Sequence, residues 1–195
     1  VISGVHENLI DIYVFTFVSG VSERLTHDLA DDRHPRFIEN SEKILFSSNR
    51  RNDTLKVEEG HHYQEPGRTY DLYVFDYKNR SRVVTQISET PFENELKPVE
   101  LTSDIYTYLS DDNGIYNRHI AKYDSTISFI DTTTHYRYFT KSYPLTNYSR
   151  NIKSHDVVLQ KRKFSEILFR NGKFYLFFNT LDTKRGAYEG NYEDT

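Results

Sequence analysis

Cysteine, tryptophan and methionine are absent from the 195 residues, and glycine (8) and proline (5) are scarce. Without cysteine there is no disulfide and no thiolate-bound zinc, which suits a bacterial periplasm or cytosol and speaks against a small secreted eukaryotic scaffold. No apolar run approaches the roughly 18–20 residues that cross a bilayer, so no transmembrane segment is expected. The glycines are too dispersed to build a phosphate-cradling loop. A G-x-S-x-G nucleophile elbow is missing as well, since VSGVSE (18–23) does not fit it. The chain opens at Val1 with no initiator methionine or signal peptide, which leads us to expect a processed chain or a piece of a longer protein.

What is present in excess is tyrosine (16) and phenylalanine (13). Both fit pleated, half-buried surfaces and favour strands. The 25 Lys and Arg against 29 Asp and Glu leave a formal net charge of -4 and no basic footprint, so no nucleic-acid partner is expected. No segment holds helical periodicity, and the fold class expected is all-β.

A repeat organises the strands. DIYVF (11–15) returns as DLYVF (71–75), with a weaker cousin, GIYNR, at 114–118. Tyr73 and Tyr116 stand 43 residues apart, within the roughly 40–45 of a four-stranded propeller blade. Tyr13 and Tyr73 stand 60 apart, and the polar, turn-rich stretch 51–70 reads as the inserted loop. Thr26 follows Tyr13 by 13 residues and Thr85 follows Tyr73 by 12, which pairs these two threonines. ENSEKILFSSN (39–49) is echoed by FRNGKFYLFFN (169–179), whose Asn171-Gly172 is a strong hairpin signal. Strands are expected near 11–16, 35–39, 43–48, 71–77, 82–87, 98–102, 105–109, 115–122, 135–140, 164–169 and 173–179. Blade parts fall at about 9–26, 27–88, 89–148 and 149–195, about four incomplete units against the roughly 4–8 blades of a closed propeller. Such a chain is expected to form part of a larger propeller or complex.

Residues 24–50 carry a family resemblance. Leu25-Thr26, Asp32-Arg33-His34-Pro35, Lys43, Ile44, Phe46, Ser48 and Arg50, followed by DLYVFD (71–76), fall in order on a known pattern. They resemble the TolB-type, WD40-like β-propeller repeat. The match is good over 9–88 and fainter over 89–195, where Pro98 lacks a preceding Asp and a turn lysine. The resemblance implies antiparallel four-stranded blades and a scaffold. In TolB the propeller is a periplasmic binding platform of an envelope complex, and the same repeat forms the non-catalytic propeller of prolyl-oligopeptidase-like peptidases. It also implies a structural role for Thr26, Asp32, Pro35, Lys43, Ser48 and Arg50, with Asp32 accepting backbone N–H bonds before Pro35.

Site chemistry is sparse. Asp28, Asp31 and Asp32 supply calcium-type oxygens without the glycine and terminal glutamate of an EF-hand, so the structural role is favoured. Glu58, Glu59, His61 and His62 offer zinc-type ligands without a metal-binding spacing. No catalytic residue, metal or cofactor is expected. Tyr136, Tyr138, Tyr143 and Tyr148 read as cross-strand packing, with stacking on sugar rings or a partner as the alternative. The binding element expected is the 51–70 loop, through Glu58, Glu59, His61, His62, Tyr63 and Arg68, because long loops on rigid scaffolds carry binding residues. Replacing residues 52–69 by a short turn is expected to leave stability nearly unchanged. The function expected is a non-enzymatic scaffold that binds protein partners in the periplasm or cell envelope of a bacterium. A propeller accessory to a serine peptidase, or a glycan-binding propeller, are the competing readings.

Overall fold

The computed structural model describes all residues except 56–64, 159–160 and 185–195. Among the described residues there are fourteen strands, a short 3-10 turn at Glu39–Ser41 and no α-helix. The all-β expectation holds. The chain divides into two compact units, Val1–Pro98 and Val99–Thr195.

The first unit begins with a three-stranded antiparallel sheet, order β1 (Ile2–His6), β2 (Leu9–Thr16), β3 (Val21–Arg24). Glu7 and Asn8, both at positive φ (49° and 69°), close the β1–β2 hairpin as a two-residue primed turn. Gly4 lies in β1 because a Cβ there would meet the Tyr13 ring at 2.9 Å. The second sheet has four strands: β4 (Asp32–Ile38), β5 (Lys43–Ser48), β6 (Asp71–Asp76) and β7 (Val84–Gln86). Ile12 and Val14 of the first sheet, with Leu25 just after β3, pack with Ile44, Phe46, Tyr73, Phe75 and Val84 of the second, forming one apolar layer. Each such side chain stabilises by about 1.5–3 kcal/mol when fully buried.

The next sheet runs β8 (Glu95–Thr102), β9 (Ile105–Ser110), β10 (Asn117–Ile130), β11 (Thr134–Pro144), all antiparallel neighbours in that order. The last is three-stranded: β12 (Ile152–Val158), β13 (Lys163–Arg170), β14 (Lys173–Thr180). In the second unit Leu101, Ile120 and Leu145 pack with Phe164 and Leu181, and Leu109 and Tyr148 pack with Ile152 and Leu168. Asn171 and Gly172, at φ 49° and 77°, form the primed hairpin turn that the sequence announces.

Three strands escape the sequence reading. β1 and β3 are short, exposed and weakly apolar, and β12 alternates lysine, serine, histidine and aspartate within a stretch without clear periodicity. The echo between 39–49 and 169–179 is also corrected. β5 is the buried second strand of its sheet, whereas β14 is the third strand and, among the described residues, an edge. The two share hairpin chemistry and not a place in the blade.

Candidate functional site

One side-chain device recurs three times. The N–H of Ile12 donates to Thr26 Oγ1 at 3.0 Å, and the hydroxyl donates on to Asp11 Oδ1 at 3.3 Å. The N–H of Leu72 donates to Ser88 Oγ at 2.9 Å, beside Asp71, whose Oδ1 accepts the N–H and hydroxyl of Thr90. The N–H of Arg118 donates to Thr146 Oγ1 at 2.8 Å, and that hydroxyl donates to Asn117 Oδ1 at 3.0 Å. The residue before each hydroxyl donates its own N–H back to Ile12, Leu72 or Arg118. Each latch pins the start of one strand to the end of the hairpin that follows it.

The latches correct two repeat assignments. Ser88, not Thr85, is the counterpart of Thr26. Asn117-Arg118-His119, not the segment centred on Tyr116, is the counterpart of Asp11-Ile12-Tyr13 and Asp71-Leu72-Tyr73.

Each unit also buries an arginine. Arg50 donates from Nε to Ser48 Oγ (3.0 Å), from Nη1 to the Thr54 carbonyl (2.9 Å) and from Nη2 to both Asp32 oxygens (2.9 and 2.8 Å). Asp32 is therefore held by a guanidinium and not by backbone N–H groups. Its neighbours do accept backbone N–H groups: Asp31 from Ile10 at 3.0 Å, and Asp28 from Ala30 at 2.8 Å. The second oxygen of Asp28 lies 3.1 Å from Arg50 Nη2 without a hydrogen bond, because that nitrogen is already engaged by Asp32. Burial pushes the Asp28 carboxyl up to about 6 against the pull of Arg50. In the second unit, Arg118 donates to His155 Nδ1 (3.2 Å) and Glu166 Oε2 (2.7 Å), and the Tyr148 hydroxyl donates to Glu166 Oε1 (2.9 Å). The guanidinium lies 3.8 Å from the Phe164 ring centroid. Nothing in the repeat pattern pointed to this cluster, because Arg118 stands where the earlier copies carry Ile12 and Leu72.

The remaining motif residues hold the blade. Pro35 follows His34, which adopts φ 54°, and Pro98 follows Lys97, at φ 55°. Prolines disfavour helical backbone in the residue before them. The two kinks are the same device, and Glu95, fully buried and accepting the Ser88 hydroxyl, fills the place of Asp32. Lys43 pairs with Glu39 at 2.8 Å.

The expected binding loop is only partly in view. Glu58, Glu59, His61, His62 and Tyr63 lie outside the described residues, and Arg68 is exposed. Its beginning is not a free insertion. Leu55 is 3% exposed in the core of the first unit, and Thr54 bridges to Val83. Leu55 N–H donates to the Arg82 carbonyl, and its carbonyl accepts from His27. The expectation that replacing 52–69 by a short turn leaves stability nearly unchanged does not fit the burial of Leu55. No group of three or more His, Asp or Glu side chains suited to a metal is found among the described residues.

The surface offers other material. β10 pairs with β9 only over Asn117–Lys122, and beyond that β10 and β11 continue as a two-stranded arm. Register puts Tyr123, Ser125, Ile127, Tyr136, Tyr138 and Thr140 on one face of the arm, which carries no charge. Tyr136 and Tyr138 are 54% and 59% exposed, and Tyr123 stacks on Tyr138 at 5.6 Å. Asp124, His135, Arg137 and Lys141 fall on the other face. Of the four tyrosines weighed from sequence, Tyr148 is buried on Glu166 and Tyr143 donates to the Thr183 carbonyl, so only Tyr136 and Tyr138 are open.

No family model and no curated protein matches the chain. Among solved structures it is similar to TolB from Acinetobacter baumannii, with a TM-score of 0.57 and 12% identity over 93% of this chain. The match covers 38% of the TolB chain, so this chain spans well under half of that protein's length. At that identity the likeness carries the fold alone: four antiparallel sheets built as blades of a TolB-like β-propeller.

Proposed function

We propose that the chain is a non-enzymatic β-propeller scaffold that binds protein partners in a bacterial cell envelope. The observation that carries the reading is the sorting of charge from apolar surface. Arg50, Arg118, Asp28, Asp32 and Glu166 are buried and bound to one another, while the arm presents an uncharged aromatic face to solvent. Among the described residues these buried ion pairs are turned toward one another, which supports a structural use for them. Exposed aromatic surface is what interfaces use, since tyrosine anchors give large contact area at low entropy cost. The envelope location rests on the resemblance of residues 24–50 to the TolB-type repeat. A glycan-binding role is the second reading, favoured by Tyr136 and Tyr138 alone.

The test is capture of envelope proteins by the immobilised chain, compared with a Tyr136→Ser/Tyr138→Ser variant. Both rings are exposed, so the fold survives. The expected result is a protein retained by the original chain and lost by at least about tenfold in the variant. Retention of purified glycan strands, with no protein captured, overturns the scaffold reading in favour of the second.

A further inference from the structure

β2 and β3 are joined by four residues, FVSG (17–20). The turn is closed by the Gly20 N–H, which donates to the Thr16 carbonyl at 2.9 Å. Gly20 sits at φ 66°, a conformation that strains any residue with a Cβ. The turn holds two apolar side chains away from the sheet. Phe17 is 90% and Val18 100% exposed, and the Phe17 ring rests edge-on against Phe15 at 5.2 Å. Phe15 and Val21, at the ends of the two strands, are 42% and 57% exposed.

The latches make β2, β6 and β10 counterparts, so the connections that follow them can be compared. Between β6 and β7 stand Lys78, Asn79, Arg80, Ser81 and Arg82, and between β10 and β11 stand Asp131, Thr132 and Thr133. Polar residues are the usual choice in turns, because they hydrogen-bond locally and meet water. In the β2–β3 hairpin no charged residue stands between Asp11 and Glu23. Register places Glu23 opposite Val14, and Arg80 donates to the Glu23 carboxylate at 3.0 Å. One step lower, Arg24 lies opposite the half-buried Tyr13. The uncharged cap from Val14 to Phe17 is therefore about 10 Å tall at the rise of a strand. An ion pair and a tyrosine bound it from below.

Size and charge select the occupant. A standard protein interface takes roughly 20–30 residues a side, and the tip offers four apolar side chains. A second copy meeting it tip to tip falls short for the same reason. A lipid surface needs neither that area nor a matching shape. Apolar side chains enter it by about 5–10 Å, at the boundary of headgroups and acyl chains, and leave charged groups above. Tyrosine is enriched at that boundary. We propose that the β2–β3 tip is a lipid-surface anchor, with Phe15, Phe17, Val18 and Val21 entering the bilayer interface and the Glu23–Arg80 pair marking the limit of entry. The inference goes beyond the scaffold reading and does not rest on it. Because the inserted cap is uncharged, binding depends on apolar burial and not on anionic lipid.

The chain contains no tryptophan, so Phe17→Trp places a single reporter in the whole protein. Its emission is expected at the long wavelengths of an exposed indole in water. With phosphatidylcholine vesicles it should shift to the blue and be quenched by lipids brominated on the acyl chains. The original chain is expected to float with the same vesicles, and a Phe17→Ser/Val18→Ser variant to do so at least about tenfold less. Both side chains are exposed, so that variant keeps its fold and its melting temperature. Blue emission before vesicles are added means that the tip is already covered, and overturns the inference. So does emission unchanged by vesicles, full flotation of the serine variant, or binding that requires phosphatidylglycerol. A blue shift that grows with protein concentration alone assigns the tip to a second copy. A captured protein lost with the serine variant, without vesicle binding, assigns it to a protein partner. Tyr136→Ser/Tyr138→Ser is expected to keep the vesicles while losing captured protein. A chain that binds vesicles and captures no protein keeps the anchor and loses the scaffold reading.

Discussion

Asp28 and His34 are buried against their own charges, and pH acts on them with opposite signs. Asp28, pushed up to about 6 by burial, holds a proton in the folded state across a range where an unfolded aspartate, at 3.8, has lost it. Folding is therefore favoured as pH falls from about 6 toward 3.8. His34, pushed down to about 4 by burial and by Lys97, Arg33 and Arg36, stays neutral where an unfolded histidine, at 6.5, is charged. The unfolded chain binds more protons from 6.5 down to 4, and stability is lost over that window. The two contributions overlap and offset. Relative to the original chain, Asp28→Asn is expected to lose thermal stability progressively from pH 6 to 4, and His34→Asn to gain it, asparagine being tolerant of the positive φ at that position. Melting temperatures measured across this range decide it: parallel curves for all three proteins would mean that neither group titrates as its burial requires.

At the scale of elements, the core strands announced themselves and the fastenings between them did not. KILFSS and DLYVFD were legible as strands because apolar runs bounded by polar turns have few other uses. The latches were not, because the hydroxyl lies 14, 16 and 28 residues after the N–H it accepts as the intervening hairpin lengthens. A reading based on constant spacing must then choose Thr85 over Ser88. The arginine of the second unit was hidden for a related reason. Glu166, His155 and Tyr148 lie 48, 37 and 30 residues from Arg118 and meet it only through sheet stacking. The bridge at Thr54 and the burial of Leu55 were lost inside a polar stretch whose composition reads as loop. Leu55→Ala is accordingly expected to cost about 2–5 kcal/mol. Arg68→Ala, at an exposed position of the same stretch, should cost less than about 0.5 kcal/mol. Equilibrium denaturation of the two variants tests the pair, and a silent Leu55→Ala would mean that the segment is not part of the core.

Across the whole molecule, burial is unevenly shared, and this sets which backbone groups open most readily. In the first unit Ile44, Leu45, Phe46 and Leu72 are all at 0% exposure on two adjacent strands, flanked by β4 and β7. In the second unit β14 is exposed along nearly its whole length, and β10 and β11 leave the sheet as an arm with no third strand beyond β9. Protection against amide exchange follows the cost of local opening, which is low where few apolar contacts must be broken. Cross-strand hydrogen bonds at an exposed edge break without uncovering a core, whereas those of β5 open only when the layer over Ile12 and Val14 is lost. β14 was legible as a strand and the arm only through its 135–140 half, the extension of β10 past residue 122 having been missed. The exposure of neither was legible, because an apolar alternation looks the same whether or not a neighbouring sheet lies on it. Exchange followed by mass spectrometry is expected to rank the β5–β6 pair slowest, β13 next, and β14 with the 124–140 arm fastest. Slow exchange in β14 of the isolated chain, matching β5, would show that its outer edge is covered.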